Sequence, residues 1–154
     1  KIGGNVVSWY GGFDSCMVAR EIKNSIYAPS MGRKQTQEDM IEDINYLPYM
    51  NWREWIDNLS QYNIGIHLMR THAAGTFAMN CAFHGIPCIG YRGLDTQELL
   101  HSNTMVDVGD LYEAKNIATK LKDDVDFYEE CSSLSKEGFK KHYNEEAWIK
   151  NWEG

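Results

Sequence analysis

Short apolar runs alternate with helical stretches along nearly the whole chain. Parallel strands cannot be joined by tight turns and need long, usually helical, crossovers, so the alternation reads as βα units stacked on a parallel sheet. The runs at residues 5–10, 25–30, 45–49, 64–69, 86–91 and 104–108 are the expected strands. The fourth, Ile64-Gly65-Ile66-His67-Leu68-Met69, is almost continuously apolar, as in a strand covered on both faces. The expected class is therefore α/β: a Rossmann-like, doubly wound parallel sheet of about six strands in one domain over residues 1–154, with a helical C-terminal tail.

Between the strands the helices announce themselves by caps and period. Asp14 and Ser15 can cap a helix carrying Met17, Val18 and Ile22, and residues 37–44 place Met40, Ile41 and Ile44 on one side. Asn51 can cap a helix in which Trp52, Trp55, Ile56 and Leu59 form a single stripe. Residues 71–84 read as a small-residue helix closed by Gly85, a left-handed cap, with Pro87 just beyond. A short helix over 95–101 follows. Asp110 then caps a long amphipathic helix through Leu111, Ala114, Ala118, Leu121 and Val125, and residues 132–142 and 145–152 predict two more, the last with Trp148, Ile149 and Trp152 on one face.

Composition narrows the function. A 43% hydrophobic and 24% charged content is that of a globular domain, and no apolar stretch approaches the roughly 20 residues of a membrane span. The formal charge of -7 argues against DNA or RNA as a partner, because their binding rests on neutralising phosphates. Cysteines 16, 81, 88 and 131 have no CxxC pairing and no histidines at metal-site spacing, so no metal is expected and a reducing cytoplasm is the expected compartment. Peripheral membrane attachment is left open for a full-length protein. Lys rather than Met at position 1 leads us to expect a chain processed, trimmed or cut from something longer.

In open parallel sheets ligands bind beyond the carboxyl ends of the strands, which makes three turns candidates. Gly11 and Gly12 follow the first strand, where a backbone could approach a ligand; a tight turn needing glycine's φ freedom explains the pair equally well. Arg70, Thr71, His72, Gly75 and Thr76 join the fourth strand to the small-residue helix. They offer a cation, hydroxyls and exposed amides, which together suit a diphosphate. Arg92 and Glu98 flank the turn after the fifth strand, where Arg92 could meet a phosphate and Glu98 a ribose or sugar hydroxyl; a surface arginine and a helix-stabilising glutamate are the simpler reading.

The stretch from Ile66 to Tyr91, followed by Val106-Asp107-Val108-Gly109-Asp110, resembles the C-terminal, donor-binding domain of GT-B retaining glycosyltransferases. That family reads E-G-F-G-x4-E-A-x-A-x-G-x-P-V-I and then V-D-P-G-D. Gly75 falls on the second glycine of the first motif, Gly85, Pro87 and Ile89 on its end, and Val108 replaces the proline of the second. His72 and Asn80 stand where the family has its two glutamates, and the basic pair expected after the first strand is missing from residues 11–15. The resemblance implies a nucleotide-diphosphate sugar as donor substrate, with no cofactor. It implies phosphate at Arg70–Thr76, hydroxyls at Asn80 and Glu98, close approach at Gly11-Gly12, and His72 on the sugar or a phosphate. It also implies a missing N-terminal domain that takes the acceptor. The alternatives are a non-catalytic Rossmann-like domain for a small molecule or partner protein, and half of a sugar-nucleotide epimerase.

Overall fold

A computed structural model describes residues 6–8, 13–22, 26–28, 44–47, 50–68 and 76–143. Its six strands are β1 (Val6–Ser8), β2 (Ile26–Ala28), β3 (Ile44–Tyr46), β4 (Ile64–His67), β5 (Cys88–Tyr91) and β6 (Met105–Val106). They lie in the order β3-β2-β1-β4-β5-β6. Every neighbouring pair is parallel, with Val6 of β1 opposite both Ile26 and Ile64. The order reverses between β1 and β4, which is where such sheets open a crevice at their carboxyl edge.

Among the described residues six α-helices accompany the strands: α1 (Phe13–Glu21), α2 (Trp52–Leu59), α3 (Thr76–Phe83), α4 (Asp95–Leu100), α5 (Leu111–Asp123) and α6 (Val125–His142). The local signals behind three helix ends act as expected. The Asn51 carboxamide accepts from Glu54 N–H at 2.9 Å, and Asp110 from Glu113 N–H at 3.1 Å. Gly85 has φ +69°, a conformation other residues resist, while Ile86 N–H bonds back to the Cys81 carbonyl at 2.8 Å.

Several boundaries differ from the sequence reading. Asp14 and Ser15 lie inside the first turn of α1 and do not cap it, because their side chains are committed to other strands. Ile44 opens β3 instead of closing a helix, and residues 37–43 fall outside those described. Thr104 belongs to a 3-10 turn over Ser102–Thr104, where its hydroxyl donates to the Cys88 and His101 carbonyls, and Val108 lies exposed beyond β6. The expected long helix stops at Asp123. Asp124 ends it with its own N–H on the Lys120 carbonyl at 2.9 Å, and its carboxylate accepts from Phe127 N–H at 3.1 Å to start α6. Val125, assigned by period to the buried stripe, is thus the first residue of a new helix and is exposed. Residues 132–142 are the second half of α6, and residues 145–152 lie outside those described.

The two faces of the sheet are built differently. Side chains alternate along β4 and β5, so Ile64, Ile66, Ile89 and Tyr91, with Leu68 just beyond β4, pack with Val18 and Ala19 of α1, Ile22 just after it, and Ala114, Ala118 and Leu121 of α5. The opposite face presents Gly65, His67, Cys88 and Gly90. Its small residues let α3 and α4 come close: a Cβ at Gly65 would lie 2.7 Å from Cys81 Sγ, and one at Gly90 would collide with the Gln97 carboxamide. Phe77 and Cys81 of α3 fill that face beside Trp55, Leu59 and Tyr62, with the Trp55 and Phe77 rings stacked at 6.4 Å. α6 then packs along α3 and α4, its Ser132 hydroxyl donating to the Gly85 carbonyl.

Candidate functional site

The carboxyl edge around the β1–β4 switch is the candidate site, because ligands of open parallel sheets bind where the strand order reverses. Two long-range hydrogen bonds tie its elements together. The Ser15 hydroxyl, fully buried in the first turn of α1, accepts from Leu68 N–H at 2.8 Å, just as the chain leaves β4. One strand further, the Tyr91 hydroxyl at the end of β5 donates to Asp14 Oδ2 at 2.7 Å. The start of α1 is therefore anchored across both strands that follow it in the sheet.

Arg92 comes directly after β5 and is solvent-exposed. Its Nε lies 2.7 Å from Asp107 Oδ1, and its N–H donates to the Val106 carbonyl at 2.9 Å. Asp107 and Asp110 of the Val106–Asp110 segment thus have separate duties, one pairing with Arg92 and the other capping α5, while Gly109 with φ +87° makes the turn between them. Asn80 sits one turn into α3 and is buried. Glu98 is exposed on α4, its N–H on the Leu94 carbonyl. Thr76 is the first residue of α3. Gly11, Gly12, Arg70, Thr71, His72 and Gly75 lie outside the described residues.

Behind this edge lie two buried histidines that the sequence reading did not single out. His67 ends β4 with its ring 5.7 Å from that of Phe77, and burial lowers its pKa to about 4. His101 is held more tightly. A carbonyl can only accept, so Nε2 donates to Ala78 O at 2.9 Å and Nδ1 accepts from Cys88 N–H at 3.3 Å, which fixes the Nε2–H tautomer. Burial lowers its pKa to about 4, against a smaller upward pull from the Ala78 carbonyl. Gln97 completes the cluster by donating to the Cys88 and His101 carbonyls at 2.9 and 3.2 Å. The His101 ring thus joins α3 to β5, and Gln97 joins α4 to the same strand. The sequence signal of His67 was a polar letter inside an apolar run, whereas His101 stands among polar residues that gave none.

Among the described residues no group of three His, Cys, Asp or Glu side chains could hold a metal ion, and no helix is long and apolar enough to cross a membrane. Cys81, Cys88 and Cys131 are free and buried, and burial raises the thiol pKa of Cys81 and of Cys131.

No family model and no curated protein matches this sequence. Solved structures do match its fold. HepE from Anabaena, in complex with UDP-glucose, superposes with a TM-score of 0.75 at 10% identity over 97% of this chain and 49% of its own. Sucrose-phosphate synthase from Thermosynechococcus elongatus gives 0.76 at 12% identity over 97% of this chain and 44% of its own. WaaG, a glycosyltransferase involved in lipopolysaccharide biosynthesis, gives 0.72 at 10% identity over 98% and 46%. These neighbours are GT-B glycosyltransferases, the chain spans just under half the length of each, and its fold is that of one half of a GT-B fold.

Proposed function

We propose that this half of a GT-B fold is the C-terminal, donor-binding one, and that it holds a nucleotide-diphosphate sugar for a transferase whose acceptor domain lies elsewhere in the parent chain. The observation that carries the reading is that α1 and α3 follow the neighbouring strands β1 and β4 at the point where the strand order reverses, with Asn80 buried one turn into α3. Glycosyl transfer turns on stabilising a departing nucleoside diphosphate, and preorganised donors aimed at the developing charge do this best. Arg70, Thr71, Gly75 and Thr76 supply those donors at the head of α3, without a metal or organic cofactor. Gly11 and Gly12 allow close approach, His72 meets the sugar or a phosphate, and Asn80 and Glu98 hold ribose or sugar hydroxyls. Arg92, paired with Asp107, adds a cation at the rim. The same reading places the protein in the cytoplasm, where its buried thiols stay reduced.

Titration calorimetry with UDP-, GDP- and ADP-sugars tests this reading directly. One class should bind, and Arg70→Ala should weaken nucleoside diphosphates much more than nucleosides. Silence from every nucleotide at millimolar concentration would sink it.

A second reading, a non-catalytic binding domain, is favoured by one observation. The chain carries His72 and Asn80 in place of two carboxylates, and Asn80 is buried in the helix that would present the second. Product analysis with the parent chain separates the readings. A transferred sugar supports the first, an epimerised nucleotide sugar supports an epimerase half, and binding without turnover supports the second.

A further inference from the structure

Asn80, assigned above to a ribose or sugar hydroxyl, stands on α3 two residues after Ala78. The Ala78 carbonyl accepts from His101 Nε2–H at 2.9 Å, while Nδ1 of the same ring accepts at 3.3 Å from the N–H of Cys88, the first residue of β5. One imidazole therefore spans from the backbone of β5 to the backbone of α3. Gln97 braces it, donating at 3.2 Å to the carbonyl of His101 itself and at 2.9 Å to that of Cys88, and all five of these residues are buried. Phe77 and Cys81 of α3 pack over Gly65 of β4. Apolar contact of this kind draws the helix onto the sheet but is non-directional. A hydrogen bond needs its partners about 3 Å apart and nearly in line, so it also sets where along the sheet the helix stops and how it is turned about its axis.

We infer that His101 is a positioning residue: through the Ala78 carbonyl its ring sets the placement of α3 against β5, and with it the placement of Asn80 at the donor site. The inference rests on the donor-binding reading above. It adds that affinity for a nucleotide sugar depends on a buried histidine at the end of α4, which acts only through the backbone of the neighbouring helix. His101→Leu keeps a bulky side chain in the core and removes both ring nitrogens. His101→Gln keeps an N–H at about the reach of Nε2, and His101→Asn, one methylene shorter, loses that reach.

Calorimetry on the full chain with UDP-glucose, GDP-mannose and ADP-glucose, run beside thermal unfolding, tests the inference. For the nucleotide sugar that wild type binds, His101→Leu and Asn80→Ala should each weaken affinity by about tenfold, and His101→Gln should stay within about threefold of wild type. In the Asn80→Ala background, His101→Leu should cost no more than about twofold further, because the group it positioned is gone. Unchanged affinity in His101→Leu overturns the positioning role and leaves the donor reading standing. So do equal losses in the two backgrounds that track a lower Tm, which mark a merely structural contact. Wild-type affinity in Asn80→Ala overturns it as well, since no ligand group is then left on α3 for His101 to place. If none of the three compounds binds wild type, the donor reading itself falls and takes this inference with it. Should His101→Leu fail to fold, His101→Asn takes its place: a loss that His101→Gln does not share supports the role, and equal affinity in the two overturns it.

Discussion

The face of the sheet under α1 and α5 and the face under α2, α3 and α4 solve the same packing problem in opposite ways. On the first, β4 and β5 contribute Ile64, Ile66, Leu68, Ile89 and Tyr91, and the fit comes from branched side chains interdigitating with the valine, isoleucine and alanines of the helices. On the second they contribute Gly65, His67, Cys88 and Gly90, so the helices bring the bulk: Phe77 and Cys81 from α3, Gln97 from α4. An aliphatic face tolerates small changes of volume. A face built from glycines, buried imidazoles and tautomer-specific hydrogen bonds does not, because the His101 ring and the Gln97 carboxamide are each held by two fixed partners. Both tie-points of the candidate site, Leu68 and Tyr91, belong to the aliphatic face, while α3 with Asn80 belongs to the other.

The contrast can be broken most forcefully at Phe77. Phe77→Ala empties the centre of the α3 face and should cost about 3 to 5 kcal/mol in urea unfolding; a loss under about 1 kcal/mol would mean that α3 collapses onto its glycines and the face is not close-packed.

Acid should act chiefly on the same face. Burial holds His67 and His101 at about 4 in the folded protein, against 6.5 for a solvated histidine. Between those values the unfolded chain binds more protons. The stability contributed by the neutral rings is therefore complete above about pH 6.5 and lost as pH falls toward 4, by about 3 kcal/mol for each histidine. Denaturant unfolding followed from neutral pH to about pH 4.5 should show the fall, and His101→Gln should flatten part of it. A variant with the wild-type slope would assign the acid sensitivity elsewhere.

A matched pair on β5 sharpens the comparison. Gly90→Ala forces a methyl group against the Gln97 carboxamide, itself held by the Cys88 and His101 carbonyls, and should destabilise by about 1 to 3 kcal/mol. Its neighbour Ile89 points to the other face, and Ile89→Val should cost only about 0.5 to 1.5 kcal/mol. The reverse order of Tm shifts would contradict the two-face description. The smallest effect belongs to Arg92. The Arg92–Asp107 pair is more than half exposed on both sides, 56% and 76%, so Arg92→Ala should change stability by about 0.5 kcal/mol or less. A larger drop in Tm would give that ion pair a structural share the exposed geometry does not predict.

Local features were legible in the sequence because their causes are local. Asn51, Gly85 and Asp110 act within four residues of the helix ends they define, and the coverage of β4 on both faces shows in its apolar run. Val125 misled the periodicity because steps of three and four continue across a break. Only the Asp124 carboxylate, turned onto Phe127 N–H, shows that the helix restarts. The candidate site was legible as an edge and a set of turns. The contacts that organise its described part were not, since Asp14 meets Tyr91 across 77 residues and Ser15 meets Leu68 across 53. His67 and His101 were hidden for a related reason: neither an apolar run around the first nor polar neighbours around the second shows whether the ring will be buried.

By itself, the sequence determined a parallel α/β class and the places where its strands and most of its helices fall. These follow from backbone hydrogen bonding and side-chain period, which act over a few residues. The tertiary structure alone decided the order β3-β2-β1-β4-β5-β6, the division of β4 and β5 into an aliphatic and a glycine-histidine face, and the tie from α1 to the ends of β4 and β5. Each of those depends on which distant segments come to lie side by side, and that choice is made by the packing of the whole sheet.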